Sequence, residues 1–330
     1  MALAAILGAS GFSGQETLDR VLAHPQLDLL CLGSDSLAGR SAASLDPRLA
    51  RDGAASLPTF VSNAEAATSG ADVVFACLPH EEAAALVPPD DGIVVDLSGA
   101  HRLPGADDYD RWYGFRHPRP AELDDWCYAI PELVPPSGPL IANPGCYAVA
   151  TVLALAPVAD ALDPESVVVD AKSGVSGAGR APKASSHAAA VLDNVSPYRV
   201  GNHQHTPEIA RVLGFPVCFV PHLLPLRRGL LVTCYARTTE DGLRERLEAA
   251  YSDTATVAVL PDGVVPDVLR VQGTDVAEIG VFEDGATGRA IVICAIDNLG
   301  KGAAGSAIQN ANLALGYPQT AGLRVTGLLV

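Results

Sequence analysis

Unbroken apolar runs alternate with amphipathic stretches along the first part of the chain. Four apolar runs of strand length occupy residues 3–8, 27–33, 71–78 and 93–97. Runs without a polar residue at every second position are typical of parallel strands that are covered on both faces. The amphipathic sequence GQETLDRVLAHP follows the first run, which predicts a helix directly after the first strand. The pattern therefore predicts an α/β fold with an N-terminal Rossmann-type parallel sheet.

A glycine-rich turn joins the first predicted strand to the first helix. Its glycines follow G-x-x-G-x-x-G, a variant of the dinucleotide fingerprint, in which glycines permit a tight turn and bring a pyrophosphate close to a helix N-terminus. An ordinary strand-to-helix turn is the alternative, but the position after a strand and before a helix favours a nucleotide site. The expected cofactor contacts in this turn are Gly8, Ser10, Gly11, Phe12, Ser13 and Gly14.

The segment after the second predicted strand bears on the choice between NAD and NADP. An acidic residue near the adenosine ribose usually selects NAD, whereas a basic one suits NADP. Asp35 favours NAD, while nearby serines and an arginine could hold a 2′-phosphate. Both cofactors stay open on these residues. The expected cofactor contacts in this segment are Ser34, Ser36 and Arg40.

The ends of the third and fourth predicted strands are places where a nicotinamide ring could bind. The expected cofactor contacts there are Pro79 and Ser98.

From about residue 147 the pattern indicates a second domain. The number and turn spacing of the strand-like segments predict a mixed or antiparallel sheet, and hence an α+β domain. The predicted strands are 166–174, 217–220, 229–237, 255–260, 268–272, 277–282 and 290–296. We expect a nucleotide domain over 1–145, a second domain over 146–300, and a C-terminal helix over 301–330 that packs back on the first domain.

Cys146 is a candidate nucleophile because it lies in a turn that leads into a helix. Asn143 is predicted as the N-cap and Pro144 as the first helical residue, which places Cys146 in the first turn. A positive helix end favours the reactive thiolate. The other six cysteines lie in apolar runs, where cysteine behaves as a small buried hydrophobe. A structural cysteine at a helix start is the alternative.

Two histidines in the segment HQHTPEI are candidate acid–base partners for such a thiol. Thr206 is predicted as an N-cap followed by Pro207, so His205 would stand just outside a helix. His203 and His205 would lie on one side if the backbone there is extended. A metal pair is the competing hypothesis, but no Asp, Glu or Cys is spaced to complete a zinc site. We therefore expect no metal.

Two basic loops are candidate anion sites. The sequence SGVSGAGRAPK combines cations with backbone amides that could wrap a phosphate, although a mobile surface loop is the alternative. The sequence PHLLPLRRG carries two arginines suited to a bidentate hold on a carboxylate or phosphate. The expected substrate contacts in these loops are Ser176, Gly177, Arg180, Lys183, Arg227 and Arg228.

Composition narrows the functional classes. A chain of 330 residues with 48% hydrophobic residues is expected to form two domains with full cores. Seven cysteines without paired spacing indicate a reducing compartment, for which the cytoplasm fits best. No apolar run is long enough to span a bilayer. A net charge of −16 disfavours nucleic acid and anionic membranes as partners and leaves a small-molecule substrate.

Long ordered blocks of the chain resemble the N-acetyl-gamma-glutamyl-phosphate reductase family, which is related to aspartate-semialdehyde dehydrogenases. The blocks are GASGFSG, DLSGAHRLPGADDYDRWYGFRH, YAIPEL, NPGCY, SGVSGAGR, HQHTPEI, PHLLPLRRG and DNLGKGAAGSAIQN. The resemblance implies a Rossmann domain, a catalytic and dimerisation domain, and a homodimer or homotetramer. It also implies an NADP-dependent enzyme of arginine biosynthesis that reduces an acyl phosphate, with NAD left possible by Asp35.

In that family's chemistry Cys146 would attack the acyl phosphate, expel phosphate and form a thioester, which a hydride then reduces. His205, or His203 in its place, would transfer the protons. The backbone amide of Cys146, with Asn143, would meet the oxyanion. Asn298, in the last block, is expected among the cofactor contacts.

The chain departs from the family pattern at three places, which keeps alternatives open. Gly33-Ser34-Asp35-Ser36 replaces a block close to Thr-Ser-Arg-Ser, Ala148 follows Tyr147 where proline is usual, and Gln204 replaces the arginine of His-Arg-His. One alternative substrate is a glutamyl or aminoadipyl phosphate bound to an acidic carrier protein, although like charges repel. A second alternative is a catalytically silent nucleotide-binding regulator.

Overall fold

The computed structural model describes residues 1–46, 49, 57–181 and 184–327. This part of the chain divides into two compact units. Unit 1 contains the described residues of 1–110, 115–143 and 306–323, and unit 2 contains 111–114, 144–305 and 324–327. The change from unit 1 to unit 2 between Asn143 and Pro144 lies just before the segment that carries the candidate cysteine.

A parallel sheet organises unit 1. Its strands lie in the order β3-β2-β1-β4-β5-β7-β6, and each strand is parallel to its neighbours. The strands are β1 Ala2–Leu7, β2 Leu27–Gly33, β3 Phe60–Val61, β4 Val73–Ala76, β5 Ile93–Asp96, β6 Cys127–Tyr128 and β7 Leu140–Ala142. From β1 the chain adds β2 and β3 on one side and then β4 and β5 on the other, so the strand order reverses between β1 and β4. Ligands bind at the carboxyl ends of the strands at such a switch point.

Both faces of this sheet are covered, as the apolar runs predict. Alternate residues of β1 point to opposite faces, so Ile6 packs in a core with Leu18 and Ile308, while Leu7 packs in another with Val74 and Trp126. Helices α1 Phe12–Ala23, α2 Asn63–Ala67 and α3 His80–Ala84 belong to unit 1, as do the first five residues of α4, Ala106–Tyr113, and residues 306–314 of the last helix. The Rossmann-type prediction is confirmed.

A mixed sheet organises unit 2, also as predicted. Its order is β12-β13-β14-β11-β8-β10-β9, with antiparallel pairing of β11 to both β8 and β14 and parallel pairing of β8 to β10. The strands are β8 Val168–Gly174, β9 Ser196–Pro197, β10 Cys218–Leu224, β11 Leu230–Arg237, β12 Val257–Val259, β13 Ala277–Asp284 and β14 Arg289–Ile296.

The two faces of this second sheet differ. Helix α5, Cys146–Leu155, is buried from Tyr147 onward and packs on β11 and β14, where Cys234 and Cys294 are buried. On the other face, the directly opposed residues Val168, Tyr235 and Ile291 are apolar and half-buried, and the half-buried Val220 and Ile293 lie in the next row, opposite Asp170 and Thr233. We call this surface the open face and define it by Val168, Val220, Tyr235, Ile291 and Ile293.

Two sequence predictions about the second half are wrong in detail. Residues 268–272 do not form a strand: Val268–Val271 is a short helix, α9, because the Asp267 side chain accepts the Leu269 N–H and starts a turn. The C-terminal helix is not 301–330 but α10, Gly305–Ala314, preceded by a π-helix at Gly300–Ala304. The remaining helices are α6 Ala188–Val191, α7 His205–Leu213 and α8 Leu243–Tyr251.

Within the described ranges, no helix is both long and apolar enough to cross a bilayer.

Candidate active site

The turn after β1 is built for close approach of a phosphate group. Gly8 has φ +66°, and a Cβ on it would lie 2.3 Å from the Cys77 carbonyl oxygen. A Cβ on Gly14 would lie 2.5 Å from the Gly8 oxygen. Helix α1 begins at Phe12 with Gly11 as its N-cap, so its first N–H groups face the turn. This backbone fits the pyrophosphate of a dinucleotide.

Serine hydroxyls connect this turn to the end of β2. Ser34 Oγ donates to Ser10 Oγ at 2.9 Å and lies 3.4 Å from Ser36 Oγ. The structure thus brings these three predicted contacts together. Arg40 has an exposed side chain in the same segment, and its carbonyl accepts the Phe60 N–H. Ser13 lies in the first turn of α1, where its carbonyl accepts the Thr17 hydroxyl.

Pro79 and Ser98 stand at neighbouring strand ends in unit 1. Pro79 is the N-cap residue of α3, after β4. Ser98, after β5, donates its hydroxyl to the buried Asp96 carboxylate at 2.9 Å, and His101 Nδ1 lies 2.7 Å from that carboxylate. Burial alone would raise the pKa of Asp96, but the hydrogen bonds from His101 and Ser98 outweigh it and lower the pKa. The Ser98 loop is therefore held by an ionised carboxylate.

Cys146 is the first residue of α5 in unit 2. The N-cap is Gly145, with φ −80° and ψ 154°, and not Asn143 as predicted. The helix starts two residues later than predicted because the Gly145 N–H is bound by the Glu208 carboxylate at 2.6 Å. Asn143 lies in unit 1, where its Oδ1 accepts from Asn310 Nδ2 at 3.1 Å. Cys146 still occupies the first turn, at the positive end of the helix dipole.

Most other thiols are unsuited to nucleophilic attack. Burial raises the pKa of Cys77 to about 12, and it also raises the pKa values of Cys31, Cys234 and Cys294. Cys218 differs from its prediction, because it is exposed at the start of β10. It lies in a strand, away from any helix start.

The two candidate histidines lie in contact with each other. Their ring centroids are 4.8 Å apart, and the His205 N–H donates to His203 Nδ1 at 3.2 Å. His205 is the first residue of α7 with Gln204 as N-cap, whereas the sequence predicted Thr206 as N-cap. Burial, with the charges of His205 and Arg199, lowers the pKa of His203 to about 2. The His203 ring is therefore neutral, with its proton on Nε2.

Tyr147, the residue after Cys146, packs against both histidines. Its ring centroid is 5.6 Å from that of His203 and 5.9 Å from that of His205. Tyr198 donates its hydroxyl to the Tyr147 hydroxyl at 3.3 Å, and Tyr147 donates to the His222 carbonyl at 3.2 Å. Since Tyr147 follows Cys146 in α5, the histidines lie beside the start of that helix. The sequence analysis missed both tyrosines.

Glu208 is a second residue that the sequence analysis missed. It is fully buried, its Oε1 accepts the Gly145 N–H, and its Oε2 lies 3.9 Å from His205 Nε2. One carboxylate thus contacts both the start of α5 and the histidine helix. The available signal was its place in the first turn of a predicted helix, three residues after His205.

The loop after β8 is not a cradle of free amides. The N–H groups of Gly174, Val175 and Ser176 bond to the carbonyl groups of Gly229, Leu226 and Arg227. These three amides at the start of the loop are therefore already bonded to the neighbouring loop, while a phosphate contact by the rest of the loop stays a prediction. Gly177 follows in the same loop, close to Ser173, and Arg180 is exposed. Lys183 lies outside the described residues.

The two adjacent arginines have different surroundings. Arg228 forms a bidentate ion pair with the buried Asp297, at 2.6 Å from Nε to Oδ2 and 3.0 Å from Nη2 to Oδ1. Asp297 therefore holds the Arg228 guanidinium in place, and the substrate contact of Arg228 stays a prediction. The Arg227 side chain is exposed.

Asn298 and the π-helix complete this part of unit 2. Asn298 Oδ1 accepts the Gly229 N–H at 2.7 Å and its Nδ2 donates to Ser176 Oγ at 2.9 Å. Both ends of the amide thus support the loops of unit 2, and a contact of Asn298 with the cofactor stays a prediction. In the π-helix, a Cβ on Gly302 would lie 2.8 Å from Cys146 Cβ. The backbone of this helix packs directly against the nucleophile.

No cluster of three or more metal-ligating side chains occurs in the part of the chain that the structure describes.

Comparisons with known proteins agree with both units. Residues 4–137 match the family model "Semialdehyde dehydrogenase, NAD binding domain", and residues 146–298 match "Semialdehyde dehydrogenase, dimerisation domain". A probable chloroplastic N-acetyl-gamma-glutamyl-phosphate reductase of Arabidopsis thaliana is 39% identical, covering 96% of this chain and 83% of its own. The N-acetyl-gamma-glutamyl-phosphate reductase of Geobacter sp. is 41% identical, covering 97% of each.

A solved structure has the same fold. Aspartate semialdehyde dehydrogenase II of Vibrio cholerae, complexed with ASA, superposes with a TM-score of 0.74 over 96% of this chain and 98% of its own, at 19% identity.

Proposed function

The chain belongs to the N-acetyl-gamma-glutamyl-phosphate reductase family, and from this premise we propose that it reduces N-acetyl-gamma-glutamyl phosphate with NADPH in arginine biosynthesis. It is an enzyme, a nicotinamide-dependent acyl-phosphate reductase. The proposed products are N-acetylglutamate 5-semialdehyde and phosphate. The observation that carries the proposal is that Cys146 starts α5 and that the next residue, Tyr147, packs against the His203–His205 pair.

In the first proposed step Cys146 attacks the acyl phosphate. A bond forms between Sγ and the carbonyl carbon, the bond to phosphate breaks, and a thioester remains on the enzyme. The start of α5 supports this step twice, because a positive helix end favours the thiolate and its N–H groups stabilise the oxyanion. Glu208 fixes that helix start through Gly145.

In the second proposed step the thioester becomes an aldehyde. A nicotinamide held at the glycine turn of unit 1 would supply the hydride, and the oxygen of the resulting tetrahedral adduct on Cys146 must take up a proton and release it as the aldehyde leaves the thiolate. We assign this proton to His205, since Nδ1 of the neutral His203 already accepts the His205 N–H. The Glu208 carboxylate Oε2 lies 3.9 Å from His205 Nε2, on the side of the ring that would exchange the proton.

The ligand contacts that remain after the structural corrections suit a phosphorylated substrate and NADPH. Ser34, Ser36 and Arg40 would hold the 2′-phosphate, with Ser34 tied to Ser10 of the glycine turn. The exposed Arg227 and Arg180 would hold the substrate carboxylate and phosphate.

We also propose that two copies associate through the open face of unit 2. The five residues that define this face are apolar and half-buried, and they lie in the region that matches a dimerisation domain. A homotetramer would need a further contact beyond this one.

The test is an assay in the reverse direction. Wild-type and Cys146→Ser proteins are supplied with N-acetylglutamate semialdehyde, with and without phosphate, and the reduction of NADP and NAD is followed at 340 nm. We expect phosphate-dependent reduction, faster with NADP, that Cys146→Ser abolishes and Cys218→Ser leaves intact. Cys218 is the matched control because it is the exposed cysteine.

Other outcomes would replace the proposal. Activity only with a carrier-bound glutamyl or aminoadipyl semialdehyde would change the substrate. Nucleotide binding without turnover of any acyl phosphate or semialdehyde would indicate a silent regulator.

A further inference from the structure

Asp35 makes a two-point contact with one residue of α2. Its Oδ1 accepts the Asn63 N–H at 2.8 Å, and its Oδ2 accepts from Asn63 Nδ2 at 3.0 Å. The plane of the carboxylate is therefore set by Asn63. An acidic residue after the second strand of a Rossmann sheet usually binds the ribose hydroxyls instead.

The Asn63 side chain also bonds to the glycine turn. Its remaining polar atom, Oδ1, accepts the Gly8 N–H at 2.9 Å. Gly8 is the residue with positive φ at the point where β1 enters the turn. The amide of Asn63 cannot rotate to another partner without breaking its bond to Asp35, so Asp35 fixes the orientation of the group that holds Gly8.

The ribose side of the site has a separate set of contacts. The hydroxyl groups of Ser34 and Ser36 are hydrogen-bonded to each other, and the Ser34 hydroxyl donates to Ser10 of the turn. Neither serine is bonded to Asp35 in the described contacts. The serines and Asp35 thus act on different parts of the site, although they alternate along the chain.

We propose that Asp35 is a positioning residue that holds the pyrophosphate turn through Asn63, and that it does not select between NAD and NADP. The inference rests on the proposed nicotinamide site of unit 1. Loss of Asp35 then weakens both cofactors by the same factor, because both carry the same pyrophosphate. A residue that binds the ribose would instead change the ratio of their affinities.

The test measures binding and not turnover. Dissociation constants of NADPH and NADH are determined by fluorescence titration for wild type, Asp35→Ala, Asn63→Ala and the double variant. We expect each single variant to weaken both nucleotides about three- to tenfold, which corresponds to one or two hydrogen bonds. The ratio of the two constants stays unchanged, and the double variant is no weaker than Asn63→Ala, since both act through one contact chain.

Two controls accompany these variants. Asp72→Ala removes another exposed carboxylate of unit 1 that also accepts a backbone N–H, from Leu3 at 2.7 Å, at the opposite end of the strands. It should leave both dissociation constants unchanged. Arg40→Ala should weaken NADPH alone and so prove that the titration detects a change in preference.

Two results would overturn the inference. Asp35→Ala that weakens NADH selectively would show that Asp35 binds the ribose, and unchanged constants for both nucleotides would show that the contact chain does not act on the site. Wild-type protein that binds neither nucleotide would overturn the proposed function and this inference together, and so differs from either result.

Discussion

At the scale of single residues, the role of a side chain depends on the hydrogen bonds and ion pairs that it already forms. His203 and His205 are two positions apart in the sequence and share a ring contact, yet only His203 has its Nδ1 bonded to a backbone N–H. Arg227 and Arg228 are adjacent, yet only Arg228 is paired with the buried Asp297. In each pair, the residue with the described bond holds neighbouring backbone or side chains in place. We therefore propose the other residue, His205 or Arg227, as the one that acts on the substrate.

The histidine pair gives a prediction about activity. His205→Asn should lower kcat by about 10²- to 10⁴-fold, the usual contribution of a general acid–base, with a small change in KM. Steady-state kinetics over a range of pH measures this effect. Retention of full kcat in His205→Asn would contradict the assignment.

The neutral state of His203 gives a prediction about stability. Its pKa is about 2 in the folded protein against 6.5 for the free side chain, so the unfolded chain takes up the proton first as pH falls. The stabilisation is complete above pH 6.5 and is lost as pH falls from there toward 2, by up to about 1.4 kcal/mol per pH unit. Urea unfolding at pH 7 and 5 should show a smaller loss for His203→Gln than for wild type; equal losses would contradict the prediction.

The arginine pair gives a prediction that separates binding from folding. Arg227→Ala should raise KM for the acyl phosphate and leave the unfolding midpoint unchanged, because its side chain is exposed. Arg228→Ala should lower the free energy of unfolding by about 3–5 kcal/mol, because it leaves Asp297 buried without its cation. Kinetics and denaturant unfolding of both variants check this, and the opposite pattern would reverse the two roles.

At the scale of elements, the π-helix at Gly300–Ala304 brings its backbone against the start of α5. Single π turns inside helices occur often at functional sites. Asp297 stabilises this one by accepting the N–H groups of Leu299 and Gly300. The element therefore sets the space around Cys146 with backbone atoms, which leaves no room for a side chain at Gly302.

Gly302→Ala should for that reason displace Cys146. The added Cβ would stand 2.8 Å from Cys146 Cβ, so we expect at least a tenfold loss of kcat and slower alkylation of Cys146 by iodoacetamide. Gly285→Ala is the matched control, because a Cβ there meets no atom within 4 Å. Equal activity of the two variants would show that the site tolerates the methyl group.

At the scale of the whole molecule, the proposed association of two copies depends on the open face of unit 2. Ile291→Asp places a charge opposite Tyr235 in the middle of this apolar surface. We expect the variant to shift from dimer to monomer in light scattering after gel filtration, since burying an unpaired carboxylate is costly. Arg237→Asp, exposed at the end of β11, should leave the mass unchanged. A dimeric Ile291→Asp protein would place the interface elsewhere.

Sequence patterns alone predicted the fold class, the glycine turn and the place of Cys146 in the first turn of a helix. These features are local: apolar runs, glycine spacing and a proline-containing turn act through neighbouring residues, so their effect can be read along the chain. The prediction of a strand at 268–272 was wrong, and the cause is again local. The side chain of Asp267, one residue before the apolar run, accepts the Leu269 N–H and starts a helix.

The tertiary structure decided which of the candidate residues have a structural role. Arg228 meets Asp297, Asn298 meets Gly229, and Asp35 meets Asn63, each across 28 to 69 positions of the chain. Glu208 reaches Gly145 across 63 positions. No local pattern encodes such pairings, because a buried polar group takes the partner that packing brings to it, and that partner depends on the whole fold.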